Sequence, residues 1–196
     1  MDEAGLIRAA QRGDVAAFNQ LVLAYQSQVY NVAYRILGEP AAASDAAQEA
    51  FLSAFTHIND YRGGSFKAWL LRIVTNACYD ALRYAQRRPT ASLEASDDGD
   101  EGRSLADVLP ADDEDPLRAA ERSDLRRFIG RAALQLPPDQ RITFVLSDVQ
   151  GLSYEEIAEV MQVSLGTVKS RLSRARAKLR DALLAHAELL PDEFRQ

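Results

Sequence analysis

The stretch Ser153 to Arg180, SYEEIAEVMQVSLGTVKSRLSRARAKLR, constrains the fold more than any other part of the chain. Ser153 and Glu156 stand three apart, the spacing of a capping box, in which hydroxyl and carboxylate satisfy backbone N–H groups that a helix start leaves open. A helix therefore begins here, with Ile157, Ala158, Val160 and Met161 on its apolar side. Gln162 to Ser164 interrupt the pattern, and Ser164 is the next N-cap candidate. In the helix that follows, Val168, Leu172, Ala175 and Leu179 recur at four, three and four residues, which confines them to one narrow inward stripe.

Opposite that stripe lie Thr167, Ser170, Ser173, Arg174 and Ala177, short side chains around one long arginine. Lys169, Arg171, Arg176, Lys178 and Arg180 occupy the flanks, so Leu165 to Arg180 holds six bases and no acid. A short apolar helix, a turn and a basic helix have the composition of a helix-turn-helix recognition element. Arginine can fork onto guanine in the major groove, small hydroxyl residues permit close approach, and flanking cations bind phosphates. A merely solvated cationic face is the alternative for these residues alone.

A net charge of -6 over 196 residues argues against nucleic acid only if it is evenly spread. It is not: between Pro89 and Pro116 lie ten of the 29 acids and one of the 23 bases, leaving 22 bases against 19 acids elsewhere. That segment has few large apolar residues with which to offset its ordering entropy, so it reads as a flexible acidic linker. The single cysteine excludes an intramolecular disulfide, and no Cys/His cluster suggests a metal or other cofactor. With no basic-then-apolar leader and no apolar run long enough for a membrane span, a cytoplasmic protein without membrane insertion is expected. No HExxH, CxxC or phosphate loop supports an enzyme.

Elsewhere the chain reads as helix throughout. A short helix over 6–10 is followed by a longer one capped by Asp14, with Phe18, Leu21, Val22, Tyr25, Val29, Val32, Ala33 and Ile36 at three- and four-residue steps until Gly38 and Pro40. The next, Pro40 to His57, buries Ala47, Phe51, Ala54, Phe55 and Ile58. On another face Asp45, Gln48, Glu49, Leu52 and Thr56 form either an ordinary wet surface or a partner contact with acids at its rim and a leucine to bury. After a loop, NDYRGGS, Ser65 caps a helix from Phe66 to about Arg87 that buries Phe66, Leu70, Ile73, Val74, Ala77, Cys78 and Ala81. Arg72, Asn76, Asp80, Arg83 and Arg87 share a stripe with Trp69, and Tyr79 lies at its margin. Bases and amides interleaved with aromatics suit a DNA strand with unstacked bases, although Asp80 pairing with Arg83 or Arg72 would account for the same pattern. Beyond the linker, Leu125, Phe128, Ile129, Ala132 and Leu136 mark a helix ending before Pro137. Another follows, Pro138 to Val149, with Ile142, Val145, Leu146 and Val149 inward and Gly151 as its stop. The fold class is all-α: two small helical domains, 1–88 and 117–196, joined by the acidic linker 89–116.

Taken together, DAAQEAFLSAF (Asp45 to Phe55), SFKAWLLRIVTNACYDALR (Ser65 to Arg83) and LPPDQRITFVLSDVQGLSYEEIAEVMQVSLGTVKSRLSRARAKLR (Leu136 to Arg180) resemble a bacterial sigma factor of the extracytoplasmic-function group, with only the second and fourth conserved regions. The resemblance covers about Phe18 to Arg88 and Arg122 to Leu184. It implies that the helix bearing Asp45, Gln48, Glu49 and Leu52 docks on the clamp helices of the largest RNA polymerase subunit. It also implies that Tyr61, Phe66, Trp69, Arg72, Asn76, Tyr79, Asp80 and Arg83 serve -10 recognition and melting. Thr167, Lys169, Ser170, Arg171, Ser173, Arg174 and Lys178 would then read the -35 duplex while the polymerase flap holds that domain. Family linkers thread the polymerase's RNA exit path, and an anti-sigma factor commonly holds the family's members inactive. Arg141-Ile142-Thr143 departs from the apolar helix entry frequent in the family. The rival reading is a free-standing helix-turn-helix regulator that binds duplex DNA as a dimer on a palindrome without polymerase.

Overall fold

The computed structural model describes residues 2–87 and 116–186, with side chains from 124 onward in the second stretch. The linker reading and the tail after His186 lie outside the described residues. Among the described residues eight α-helices follow one another: α1 (Glu3–Gln11), α2 (Val15–Leu37), α3 (Pro40–Thr56), α4 (Phe66–Arg87), α5 (Pro116–Leu134), α6 (Pro138–Phe144), α7 (Tyr154–Met161) and α8 (Leu165–Leu184).

Local chemistry sets most of these boundaries. The Asp14 carboxylate accepts from the Ala17 N–H at 3.1 Å to start α2, and Gly38 ends it at φ 80°, the left-handed conformation favoured after a helix. Pro40 occupies the first turn of α3, where its missing N–H costs nothing. Ser65 Oγ accepts from the Ala68 N–H at 3.1 Å, as the sequence suggests. The short first helix is longer than the 6–10 expected, because the Asp2 carboxylate accepts from the Gly5 N–H at 3.0 Å and caps a helix that starts at Glu3.

Helices α1 to α4 form one layered unit in which α2 packs on α1, α3 and α4, and α3 packs on α4. The buried face of α3 is a row of alanines, 43, 46, 47, 50 and 54, whose small side chains let its backbone approach the neighbouring helices. Two expectations fail here. Phe55 is 41% exposed, lying beside the alanine row and covering the edge of Phe18 at 5.0 Å. On α4, Leu71 and Thr75 are buried while Ile73 and Ala81 are only half-buried, so the inward stripe is rotated relative to the one expected.

In the C-terminal unit α5, α6 and α7 all pack on α8. The helix expected over Pro138 to Val149 is α-helical only to Phe144 and then opens into a π-helical turn, Val145–Val149. The Gln150 N–H reaches back five residues to the Val145 carbonyl at 3.0 Å. An extra residue per turn breaks the 3.6 period, which is why Val149 faces outward instead of inward.

The two units also pack against each other. Helix α7 meets α4, and α2 meets α5, α6 and the π turn. Ile142, Val145, Leu146, Leu152, Ile157, Val160 and Val168 share one continuous apolar core with Val29, Ile36, Leu70 and Val74. A smaller cluster, Ala133, Leu136, Ala175 and Leu179, holds α5 on α8.

Candidate nucleic-acid interface

The capping box at the start of α7 is complete. Glu156 N–H donates to Ser153 Oγ at 3.2 Å, and Ser153 N–H donates to Glu156 Oε2 at 2.8 Å. Helix α7 ends at Gln162, whose φ of 54° is the left-handed value that turns the chain sharply. Ser164 Oγ then accepts from the Thr167 N–H at 3.2 Å to start α8. Val168, Leu172, Ala175 and Leu179 are all buried, so the basic side of α8 is turned to solvent as the spacing predicts.

The six cations of α8 are not equivalent. Arg176 is held by Asp148 of the π turn, Nε at 3.1 Å and a terminal nitrogen at 2.5 Å, and this bidentate bond raises its pKa. Arg180 pairs with Asp181 at 3.3 Å. Arg171 is half-buried and ion-paired to Asp139 of α6. Among the described residues Lys169, Arg174 and Lys178 have no ion pair and are exposed. Thr167 and Ser170 are half-buried, with Ser170 Oγ donating to the Thr167 carbonyl at 3.0 Å, and Ser173 is exposed. A groove of about 500 Å³ between Tyr154 and α8 is lined by Lys169, Ser173, Arg176 and Arg180. This face offers three unpaired cations among small side chains.

On α4 the stripe divides. Arg72, Asn76, Asp80 and Arg83 are exposed, and Asp80 pairs with Arg83 at 3.5 Å, one of the two pairings the sequence allows. Trp69 is half-buried against Tyr61 and Phe66, with ring centroids 5.6 and 5.4 Å away. Tyr61 Oη donates to the Gly64 carbonyl at 2.8 Å, which ties the loop to itself.

Phe66 corrects the expectation that it touches DNA. It is 2% exposed and enclosed by Tyr25, Tyr61 and Trp69. As the first residue of α4 its ring points back beneath the loop, so it supports the aromatic surface from inside. Tyr79 is half-buried and donates to Asp139 Oδ1 at 2.8 Å. Burial and that carboxylate raise its phenol pKa.

The third group behaves as one surface. Asp45, Gln48, Glu49 and Leu52 all face solvent on α3, with Leu52 64% exposed. An exposed leucine among acids and an amide suits either an ordinary solvated face or a partner contact, the two readings the sequence leaves open.

Sequence reasoning noted Arg141 only as a departure from an apolar helix entry, without a role, and passed over Asp139. Arg141 is 9% exposed, and its guanidinium donates to the carbonyls of Ile36, Leu134 (2.6 Å) and Leu136 (3.2 Å). It thus bonds the C-terminal turn of α2 and the end of α5, both of which carry partial negative charge. Burial lowers its pKa. A basic residue in an otherwise apolar helix entry was the one available signal.

Two family models match. One described as "Sigma-70 region 2" covers residues 21–88, and one described as "Sigma-70, region 4" covers 128–179. Among curated relatives, the RNA polymerase sigma-H factor of Pseudomonas aeruginosa is 39% identical over 91% of this chain and 92% of its own. The ECF RNA polymerase sigma factor SigW of Bacillus subtilis is 35% identical over 90% of this chain and 94% of its own. The solved sigma factor RpoE of Bartonella quintana, in complex with the anti-sigma factor NepR, matches with a TM-score of 0.62 at 26% identity, covering 86% of this chain and 98% of that one. These likenesses span both helical units and do not favour a free-standing regulator. No helix among the described residues is long and apolar enough to cross a membrane. The chain belongs to the extracytoplasmic-function group of the sigma-70 family, whose members are transcription initiation factors.

Proposed function

We propose that this chain binds core RNA polymerase and confers promoter choice on it by gripping one promoter at two points. Residues 1–88 would act as the region-2 domain, 117–196 as the region-4 domain, and 89–116 as an acidic tether through the polymerase. Asp45, Gln48, Glu49 and Leu52 meet the clamp helices of the largest subunit. Thr167, Lys169, Ser170, Arg171, Ser173, Arg174 and Lys178 face the -35 major groove, with the polymerase flap behind them. Tyr61, Trp69, Arg72, Asn76, Tyr79, Asp80 and Arg83 face the -10 element. Phe66 is left out because it is buried.

The observation that carries this reading is the coexistence, in one chain, of a basic α8 face with three cations unpaired among the described residues and an exposed acid–leucine face on α3. The first suits a polyanion and the second a protein. No bond is made or broken. Opening follows if the protein binds separated strands more tightly than duplex, since a ligand shifts an equilibrium only by its differential affinity. The protein would act in the cytoplasm, and an anti-sigma factor would restrain it, as NepR accompanies the Bartonella relative.

Run-off transcription with purified core polymerase tests the proposal. Promoter-specific transcripts that require the chain are expected. Tight duplex binding by the chain alone, with no gain in selective initiation when polymerase is added, would restore the rival regulator.

A further inference from the structure

Helix α1 precedes the matched region-2 segment, 21–88, and holds none of the residues assigned above to polymerase or DNA. Its last residue nevertheless reaches the -10 set. Gln11 Nε2 donates to the carbonyls of Ile58 and Tyr61, each at 3.1 Å. The amide nitrogen has one hydrogen for each acceptor, whereas an oxygen in its place would face two others, so the partners fix which way the amide points. Ile58 opens the 3-10 turn Ile58–Asp60 and Tyr61 caps it, and α1 packs directly on that turn.

A second link leaves the other end of α1. Tyr25 Oη donates to Glu3 Oε2, and the Tyr25 ring meets Phe66 edge-on at 5.6 Å. Phe66 in turn touches Tyr61 and Trp69, with ring centroids 5.5 and 5.4 Å away. Helix α1 therefore supports Tyr61 twice, its main chain through Gln11 and its ring through Tyr25 and Phe66. The Tyr61 hydroxyl passes the constraint onward to the Gly64 carbonyl.

The far side of this loop is open. Gly63 and Gly64 have φ of 102° and 91°, and nothing beyond their chain neighbours lies within 4 Å of a Cβ built on either. Two successive glycines without packing give the backbone a wide choice of shapes. The ties to α1 select one of them.

We propose that α1 is the brace of the -10 loop and that Gln11 is its positioning residue, setting Tyr61 where an unpaired -10 base is to stack. This rests on the functional reading above, because it needs Tyr61 to face the -10 element. Gln11 acts through Tyr61: it is half-buried, and both of its amide hydrogens are taken by the loop. A loop set in advance loses less freedom when a base arrives, so it binds more tightly and rejects a base that does not fit. A loose loop adapts to any base at lower affinity.

Gln11→Met keeps the length of the side chain and removes the donors, and Gln11→Lys puts a donor back. Each full-length variant is combined with core polymerase and given a template pool with randomised -35 and -10 positions, and the initiated templates are sequenced. With Gln11→Met, discrimination among bases at the most selective -10 position should fall about tenfold, equivalent to about 1.4 kcal/mol. The -35 preference and the urea midpoint of the free chain should stay as in the wild type. Gln11→Lys should restore the -10 discrimination, which its added charge alone cannot do, since a phosphate attraction strengthens all sequences alike.

The loop itself is read without polymerase. Trp69 is the chain's one tryptophan and lies 5.6 Å from Tyr61. Acrylamide quenching of its emission should rise in Gln11→Met and return to the wild-type value in Gln11→Lys. Three results would overturn the brace: wild-type -10 discrimination by Gln11→Met, a parallel loss of -10 and -35 preference with a lowered urea midpoint, or no recovery in Gln11→Lys. If the wild type directs no selective initiation, the sigma reading falls instead, and Trp69 quenching still decides whether Gln11 orders the loop.

Discussion

Arg141 donates to the carbonyl of Ile36, a bond between residues 105 positions apart that joins the first helical unit to the second. Its other terminal nitrogen bonds Leu134 and Leu136, so one buried cation satisfies the ends of two helices. Arg141→Met keeps the volume and discards the donors, leaving two helix-end carbonyls, Ile36 and Leu134, and that of Leu136 just beyond α5 to find other partners. Hydrogen bonds to charged groups are worth about 1.5–3 kcal/mol each at most, and the removed desolvation cost offsets part of the loss. A destabilisation of about 2–4 kcal/mol is expected by urea denaturation. Arg141→Lys should recover little of it, because one ammonium cannot reproduce the guanidinium fork.

Why the role of Arg141 escaped a sequence reading, when most of the helices did not, has a physical answer. Caps and apolar periods are local: Asp14, Gly38, Ser65, Ser153 and Ser164 each act within a few residues, and each lies where the sequence indicates. Partners such as Ile36 for Arg141, or Tyr79 for Asp139, lie 105 and 60 residues away, and no periodicity reports them. Phe66 shows the same limit from the other side. Its place in a resembling motif suggested DNA contact, its apolar spacing suggested burial, and burial is what the fold delivers. Val149 fails for a different reason, since a π turn has no clear sequence signature.

Phe66 and Arg72 should separate support from contact. Phe66→Ala empties a site closed by three aromatic rings and should cost about 3–5 kcal/mol of folding stability, with loss of activity following from unfolding. Arg72 is exposed, and Arg72→Ala should change stability by no more than about 0.5 kcal/mol. It should nevertheless reduce permanganate reactivity of unpaired thymines at the promoter. Denaturation curves and strand-opening footprints on the same two preparations decide this, and equal stability losses would refute it.

Cys78 carries a pH signature. Its side chain is fully buried on α4, and desolvation pushes its thiol from 9.0 up to about 12. The folded chain therefore holds this proton more tightly than the unfolded chain. The resulting stabilisation is whole below about pH 9 and is lost as pH rises from there towards 12, at up to about 1.4 kcal/mol per unit. Stability of the wild type should fall faster than that of Cys78→Ala between pH 9 and 10.5, where the shared tyrosine and lysine contributions cancel in the comparison. A chromogenic thiol reagent at pH 8 should react only after denaturant is added; rapid reaction with the native chain would contradict the assigned burial.

Arg174 and Lys178 test how α8 faces DNA. Both are exposed and unpaired among the described residues, and they lie four apart, one turn along the helix. Arg174 is flanked by Ser170 and Ser173, short enough to let it descend to base edges, whereas Lys178 stands further along, where the groove wall would be phosphate. Arg174→Ala should cost about 1–3 kcal/mol on the preferred -35 sequence and little on a sequence altered at the contacted guanine, flattening discrimination at that position. Lys178→Ala should weaken all sequences alike and reduce the dependence of log affinity on log salt by about 0.9, the slope for one phosphate contact. The measurement is polymerase-dependent binding to a set of single-position -35 variants at several salt concentrations. If Lys178→Ala altered sequence preference while Arg174→Ala moved only the salt slope, α8 would have to be rotated about its axis relative to the groove, with the Lys178 side inward.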